Sequence, residues 1–456
     1  MKRLVIVSMA LMFAAALFSG TQAAAAVTAE QAAKLKTTLT PLGGEKAGNT
    51  DGTIPAWDGG FTTVSPDFKN GGRRPDPFAA EKPLFSITAK NMDQYAGKLT
   101  DGVKAMLKQY ADTFRVDVYP THRTAAAPQW VYDNTFQNAT RATIVDGPGG
   151  PQPQGAYGGA PFPIPASGNE AIWNHLLRWR GGSWHFDATQ YLITSDGKRV
   201  LITDGAAEMG SHYYLQGKAP EDFDGFYYLI RIINAGPPIR AGEAIVGKQN
   251  TNDELSATWV YLTGQRRVRK LPNACCDTPA PSTAGLMTFD ELEVFSGRVG
   301  RFDWNLIGKQ EMFIPYNSNR QVQPAKDADV LSERHLNPDY VRWELHRVWV
   351  VEATPRQGQR NTVSKARYYI DEDSWYAMLG DRWDAKGQLS RTLWQIPMVL
   401  PDMPGVAAKT FGFYDIISGS WYVNGLFNEK SEQYRLMPTH QDALFTSDAL
   451  AGEGVR

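Results

Sequence analysis

After Gly182 the chain becomes a long succession of short segments rich in β-branched and aromatic residues. This limits the fold more than any other feature of the sequence. "WHFDATQYLIT", "KRVLITDG", "SHYYLQG", "FYYLIRIIN", "ATWVYLTGQRRVRKLP", "FDELEVFSG", "FDWNLIGKQEMFIPYN", "VRWELHRVWVVEATP" and "SKARYYID" follow one another, mostly with Gly, Asn or Asp between them. Runs of this kind read as strands joined by turns, so the chain is expected to be mainly β, built as an antiparallel meander with a few helices. Pro-rich "IPMVLPDMPG" interrupts the meander, and "TFGFYDIISGSWYVNGLF" adds a further hairpin.

Alternation within these strands sharpens the expectation. Trp259 and Tyr261 share one face of their strand, with Val260 and Leu262 on the other. In "WELHRVWVV", Trp343, Leu345, Trp349 and Val351 share a face broken by Arg347, and in "FYYLIRII", Phe226, Tyr228, Ile230 and Ile232 do. A sheet with one wet face carries mainly polar residues there. Strands apolar on both faces need cover on one side and helices or a ligand cavity on the other. The aromatic content, 13 Trp, 19 Tyr and 20 Phe, suits a large core, an apolar cavity or a sugar-stacking surface. Trp259, Tyr261, Trp343 and Trp349 are the candidate cavity residues.

The first 26 residues read as a secretory signal peptide: Lys2 and Arg3, an apolar run from Leu4 to Phe18, then small residues. The apolar run is shorter than the ~20 residues of a membrane span. The mature chain is therefore expected in the periplasm with no transmembrane segment. The formal charge is −1, or −3 without Lys2 and Arg3. That offers no field for nucleic acid.

Residues 27–168 form the expected N-terminal extended and helical wrapping region, and 169–456 the β unit, the two making one compact body. "PLGGEKAGNTDGTIPAW" and "KNGGRRPDPF" lack periodicity and read as wrapping segments. Tyr95, Leu99, Val103, Met106 and Tyr110 form a stripe that predicts a helix over 91–113, weakened by Gly97 and Gly102. The Gly- and Pro-rich stretch 146–168 reads as loop. A second helix follows, with Ser167 and Glu170 at capping-box spacing, Ile172, Leu176 and Trp179 on one stripe, and Gly181 at its end.

The chemistry-bearing motifs are few. "GEAIVGKQ" (242–249) misses the hydroxyl of a phosphate-binding loop at Gln249 and reads as a strand. There is no G-x-S-x-G elbow and no H-E-x-x-H helix. His122, His175, His185, His212, His335, His346 and His440 show no local metal-ligand spacing. No catalytic residue, metal or cofactor is expected. Cys275 and Cys276 are adjacent, so in an oxidising compartment they either form a vicinal disulfide or remain two thiols on opposite strand faces. Arg266, Arg267 and Arg269 read as a charged strand edge, or as a contact for acidic headgroups or a partner. "YYIDEDSWYAMLGDRWDAKG" (368–387) gathers Asp371, Glu372, Asp373, Asp381 and Asp384. Its spacing fails the EF-hand pattern, since Trp375 and Tyr376 fall where a ligand and a glycine belong. It fits strand, polar turn, returning strand and a second tight turn.

Several blocks carry a family resemblance. "TWVYLTGQRRVRKLP", "FDELEVFSG", "WNLIGKQEMFIPYN" and "HRVWVVEATPRQGQRNTVSKARYYIDEDSWYAMLGDRWDAKGQLSRT" resemble the bacterial domain-of-unknown-function family 1329. So do "LTPLGGEKAGNTDGTIPAW", "YPTHRTAAAPQWVYDNTFQNAT" and "PFPIPASGNEAIWNHLLRWRG". That family is similar to the LolA/LolB lipoprotein-carrier superfamily. The resemblance implies a large curved antiparallel sheet, an unclosed half-barrel with helices over its concave face. It further implies an apolar cavity that holds acyl chains, and envelope transport alongside an outer-membrane protein or an efflux-type inner-membrane pump.

The resulting expectation is a periplasmic, non-catalytic carrier or accessory protein for a lipid or other hydrophobic molecule. Two alternatives stand beside it: a secreted carbohydrate-binding or glycoside-cleaving protein, suggested by Trp abundance and scattered carboxylates, and a structural adaptor for an outer-membrane protein.

Overall fold

The structure, a computed structural model, describes residues 27–438 and 441–453. The expected signal peptide and His440 lie outside the described residues. Five α-helices occur among these: α1 (Ala29–Ala33), α2 (Asp101–Gln109), α3 (Gln129–Arg141), α4 (Gly168–Leu176) and α5 (Ser447–Glu453). The strands are β1 (Phe85–Ile87), β2 (Val116–Val118), β3 (Thr143–Gly147), β4 (Gly150–Gln154), β5 (Ser183–Ile193), β6 (Arg199–Gly210), β7 (Phe226–Gly236), β8 (Ala244–Asn250), β9 (Ala257–Leu262), β10 (Arg267–Lys270), β11 (Phe302–Pro315), β12 (Trp343–Pro355), β13 (Val363–Asp371), β14 (Ala377–Asp384), β15 (Leu389–Leu400), β16 (Gly405–Asp415), β17 (Trp421–Leu426) and β18 (Tyr434–Leu436). Among the described residues, no helix is long and apolar enough to cross a membrane.

Sixteen strands form one unclosed sheet, mainly of two antiparallel meanders, β5–β10 and β11–β17, joined where β17 pairs with β5. β10 ends the sheet on one side and β11, paired along β12, ends it on the other. The sheet is mixed through a single parallel bridge, Val118 of β2 beside Trp343 of β12. "GEAIVGKQ" is strand β8, as its apolar interior predicts.

This topology imposes a crossing. The chain leaves one edge at β10 and re-enters at β11, with twelve strand spacings between them along the sheet order. At ~4.8 Å each that is roughly 58 Å. Residues 271–301, fully extended, would reach about 100 Å. The segment therefore crosses the sheet face and covers it. "FDELEVFSG" belongs to this crossing and is not a strand. Glu293 and Val294 have φ of 51° and 71°, left-handed values that a β ladder does not accommodate. "SHYYLQG" is likewise a short 3₁₀ turn, His212–Tyr214. "IPMVLPDMPG" does not interrupt the sheet at its start: β15 runs on to Leu400, and Pro397, which has no N–H to offer, sits at a register shift between Ile396 and Met398.

The expected helix over 91–113 is two elements. A 3₁₀ turn, Met92–Lys98, gives way at Leu99–Thr100 to α2, whose N-cap Thr100 accepts a hydrogen bond from Val103 N. Gly102 explains the break. Its amide donates to Asp381 Oδ2 at 3.0 Å, and a Cβ there would stand 2.3 Å from Asp381 Oδ1 and Thr392 Oγ1. The helix start is thus pressed onto β14 and β15. The stretch 146–168 opens with a short hairpin, β3–β4, before the expected loop. Its prolines are tolerated because a two-stranded ribbon consists of edges.

Cores lie on both faces of the sheet. On one, α2 packs Val103, Met106 and Leu107 against β12–β17. On the other, α4 and the crossing segment pack Ile172, Trp173, Leu176, Met287 and Phe295 against Tyr368, Ile370, Leu393 and Phe413. The two-faced apolar pattern read from the sequence is this double cover.

Candidate functional site

The joint between the two meanders leaves a cavity under the crossing segment. Its volume is about 1110 Å³, the open mouth included. Phe186, Met209, Ile230, Ile232, Ile245 and Phe411 supply walls from the sheet, and Phe289 and Leu292 supply the roof from the crossing segment. Ala207 and Gly247 line the cavity with little or no side chain, and a Cβ on Gly247 would stand 3.1 Å from Ile230 Cγ2 on the wall.

The roof is pinned at several places. Gln395 Nε2 of β15 donates to Glu293 O (2.6 Å) and Ala377 O (3.0 Å), Arg382 Nη2 of β14 to Asp290 O (2.7 Å), and Gln249 Nε2 of β8 to Ser296 Oγ (3.0 Å). These bonds hold Glu293 and Val294 in their left-handed conformation, which is costly for a β-branched residue. Cys275 and Cys276 are bonded to each other in the same segment, next to the cavity-lining Ala274.

One end of the cavity is charged. The Glu293 carboxylate accepts from Arg180 Nη1 (2.9 Å), Tyr228 Oη (3.0 Å), Arg178 Nη2 and Lys409 Nζ; the four charged side chains are buried and Tyr228 is half-buried. Glu293, Tyr228 and Lys409 line the cavity directly. Burial alone would raise the Glu293 carboxyl, but Lys409, Arg180 and Arg178 hold it well below the usual carboxylate range. Burial, with repulsion from the two arginines, pushes Lys409 down to about 7 despite its pairing with Glu293.

The same arginines finish α4. Arg178 donates to His175 O, and Arg180 Nη2 to Leu176 O at 2.7 Å. Cations at a helix C-terminus satisfy its free carbonyls and complement its dipole. The helix consequently stops at Leu176, with Trp179 beyond it and Gly181 not at its cap. At its start Ser167 Oγ accepts from Glu170 N at 3.3 Å as the spacing predicts, while the Glu170 carboxylate takes Ala166 N at 2.6 Å. His175 is fully buried, accepts from Ala377 N through Nδ1 (3.0 Å) and so donates through Nε2 to Phe295 O (3.0 Å). Burial holds its pKa well below the ordinary value, so it is a neutral strut between α4, β14 and the roof.

The sequence-predicted residues are distributed as follows. Trp259 and Tyr261 do share a face of β9, and that face packs with Phe445 and Leu450 near α5. β9 lines the cavity only at its start, through Ala257 and, on the other face, Thr258. Trp343 lines a second, smaller space of about 450 Å³ with Val103, Met106, Trp394 and Tyr414, on the α2 face. Trp349 stacks over Trp375 at 6.4 Å between ring centres. Arg266 turns the β9–β10 hairpin with φ 47°, and Arg267 and Arg269 are exposed on the terminal strand β10. The four aromatics are therefore spread over three regions.

The acidic stretch is a hairpin, as its spacing predicts, but the turn is buried. Asp371 Oδ2 accepts from Tyr316 Oη (3.1 Å) and Ser374 N (2.9 Å), Asp373 is gripped by Arg123 at 2.8 and 2.6 Å, and Glu372 pairs with Lys309 at 2.7 Å. The wrapping segment seals it: a Cβ on Gly44 would lie 2.5 Å from Asp373 Oδ1. Asp384 stays at the second turn, accepting from Lys386 N and Gln388 N at 2.9 Å. His346, Asp371 and Asp373 bring ligand atoms within 4.8 Å of one another, a metal-sized group. Both Asp373 oxygens are already committed to a fixed cation, Arg123, so the group reads as part of an ion network.

The fold and site define a mainly β protein that keeps an apolar, roofed cavity with one charged end. The chain belongs to the family described as "Protein of unknown function (DUF1329)", whose model matches residues 86–451. It is 39% identical over 445 residues to the uncharacterized protein PA3922 of Pseudomonas aeruginosa, covering 96% of each chain. Among solved structures it is similar to a DUF1329 family protein from Desulfovibrio piger (14% identity, TM-score 0.42, 62% of this chain and 97% of that one). It is also similar to the LolA superfamily protein NE2245 from Nitrosomonas europaea (13% identity, TM-score 0.35, 62% and 100%).

Proposed function

We propose that this protein is a non-catalytic carrier that holds a lipid or other hydrophobic molecule in the cavity beneath residues 271–301. The observation that carries this reading is the cavity: an apolar wall on five adjacent strands, β5–β9, closed by a separate segment of chain rather than filled with side chains. Each methylene buried there contributes about 0.8 kcal/mol before the costs of association. The leader-like first 26 residues support a periplasmic location, and transport through the envelope is the role such a carrier would serve. The acidic residues of the 368–387 stretch do not form an open polar groove with facing carboxylates, which is what cleavage of a glycoside would need.

The test is uptake of a fluorescent fatty-acid analogue by the purified mature chain, compared with Ala207→Phe, which puts a ring into the cavity from its β6 wall. The wild type is expected to bind saturably at one site and the variant at least tenfold more weakly. Equal binding by the two would place the ligand elsewhere, and no binding by the wild type would remove the carrier reading.

A further inference from the structure

We infer that the cavity takes an amphiphile with one anionic head, whose head pairs with Lys409 while its tail lies along Ile230, Ile232, Ile245 and Leu292. This deepens the carrier reading and rests on it.

The geometry points to an anion through charge balance. Three cations, Arg178, Arg180 and Lys409, meet a single carboxylate, Glu293. The cluster carries a formal surplus of two positive charges with its side chains 7% exposed or less. The further neighbours that bear on its charge are the neutral His175 and phenols: Tyr228 under Arg180 (4.7 Å from ring centre to Cζ), Tyr376 under Arg178 (4.2 Å), Tyr227, Tyr214 and Tyr434. None supplies the missing negative charge, because burial keeps His175 neutral and raises all five tyrosines. Buried charge is normally paired one for one, since an unbalanced ion out of water costs several kcal/mol.

The two arginines have a second task that explains their positions, holding the C-terminal carbonyls of α4. Lys409 has no such task. It projects from β16 with its ammonium 4.5 Å from the Trp184 ring centre, touches Glu293 and opens onto the cavity. An ammonium carries three donors. It is the cation a bound head would reach, and a carboxylate or phosphate there would offset part of the surplus. The roof adds Ser296, and the sheet adds Gln249 and Asn424, as neutral polar groups on the lining.

Burial pushes Lys409 down to about 7, so the pairing is best read at pH 6, where the ammonium form prevails. The experiment is displacement of the fluorescent analogue at pH 6 by four ligands sharing a sixteen-carbon chain: hexadecanoate, hexadecyl phosphate, hexadecanol and methyl hexadecanoate. At least one of the two anions is expected to bind ten times more tightly than both neutral ligands, and the stronger of the two identifies the head. Lys409→Met and Lys409→Gln are expected to abolish that preference while leaving methyl hexadecanoate within twofold of wild type. The glutamine variant keeps a hydrogen-bond donor for Glu293 if the methionine variant does not fold. Anions and neutral ligands binding alike to the wild type would overturn the head assignment and leave the carrier reading intact. A preference that survives loss of Lys409 would overturn its role, and failure of all four ligands would overturn both readings.

Discussion

Lys409 shows how far a residue's role can depend on what folding brings beside it. In the sequence it is one charge in "GVAAKTFGFY", immediately before the hairpin recognised from its aromatics. Its partners lie in "LLRWRGG" and in "FDELEVFSG", more than a hundred positions away. A lone cation among apolar neighbours of a strand was the available signal, and it says only that a partner must exist. Asp381 was visible as one of five acids but not as buried. Burial raises its carboxyl from 3.8 to about 6, against hydrogen bonds from Gly102 N and Thr392. The folded protein therefore holds a proton between about pH 4 and pH 6 that the unfolded chain has lost, and stability rises as pH falls through that window. The difference is worth about 3 kcal/mol. Asp290, raised to about 6 by its burial, contributes a slope of the same sign. Asp381→Asn is expected to remove about that share of the gain between pH 7 and pH 4 in urea unfolding, with little loss at pH 7. An unchanged slope would mean the carboxylate is solvated.

At the scale of elements, local signals were read well where the chain is locally determined. The hairpin at 368–387, strand β8 and the cap of α4 follow from alternation, turn residues and capping spacing. The failures share a cause. Helix 91–113 broke because Gly102 had to approach Asp381, and α4 stopped early because Arg178 and Arg180 took its last carbonyls. "FDELEVFSG" alternates like a strand, yet the roof turns left-handed at Glu293 and is held there by Gln395. Distant partners decided two of these cases, through Asp381 and Gln395, while Arg178 and Arg180 lie three and four residues beyond the carbonyls they take and are held there by the distant Glu293. Gln395→Leu strips the donor from two buried carbonyls, Glu293 O and Ala377 O, at a cost of about 1–3 kcal/mol. Faster hydrogen exchange is expected in residues 271–301 than in β12–β13, together with faster release of the fluorescent analogue. Uniform exchange across the chain would show that the roof is not a separately pinned element.

For the whole molecule, the two meanders and their order account for the cavity. A chain that builds one meander, then a second that grows from the far edge back to the first, has to cross its own sheet. The crossing segment covers the face, and space is left where the meanders meet. The sequence announced many strands with two apolar faces, which is why a covered sheet was legible. It carried no register between β17 and β5, so the place of the cavity was not legible, and Trp259 and Tyr261 turned out to face α5. The central claim is that this space holds a hydrophobic molecule. Native mass spectrometry of the mature protein purified from cells without detergent tests it most directly. We predict a mass above that of the bare chain, shed on extraction with organic solvent as one class of amphiphile. The bare mass alone, in a protein that also refuses the fluorescent analogue, would contradict it.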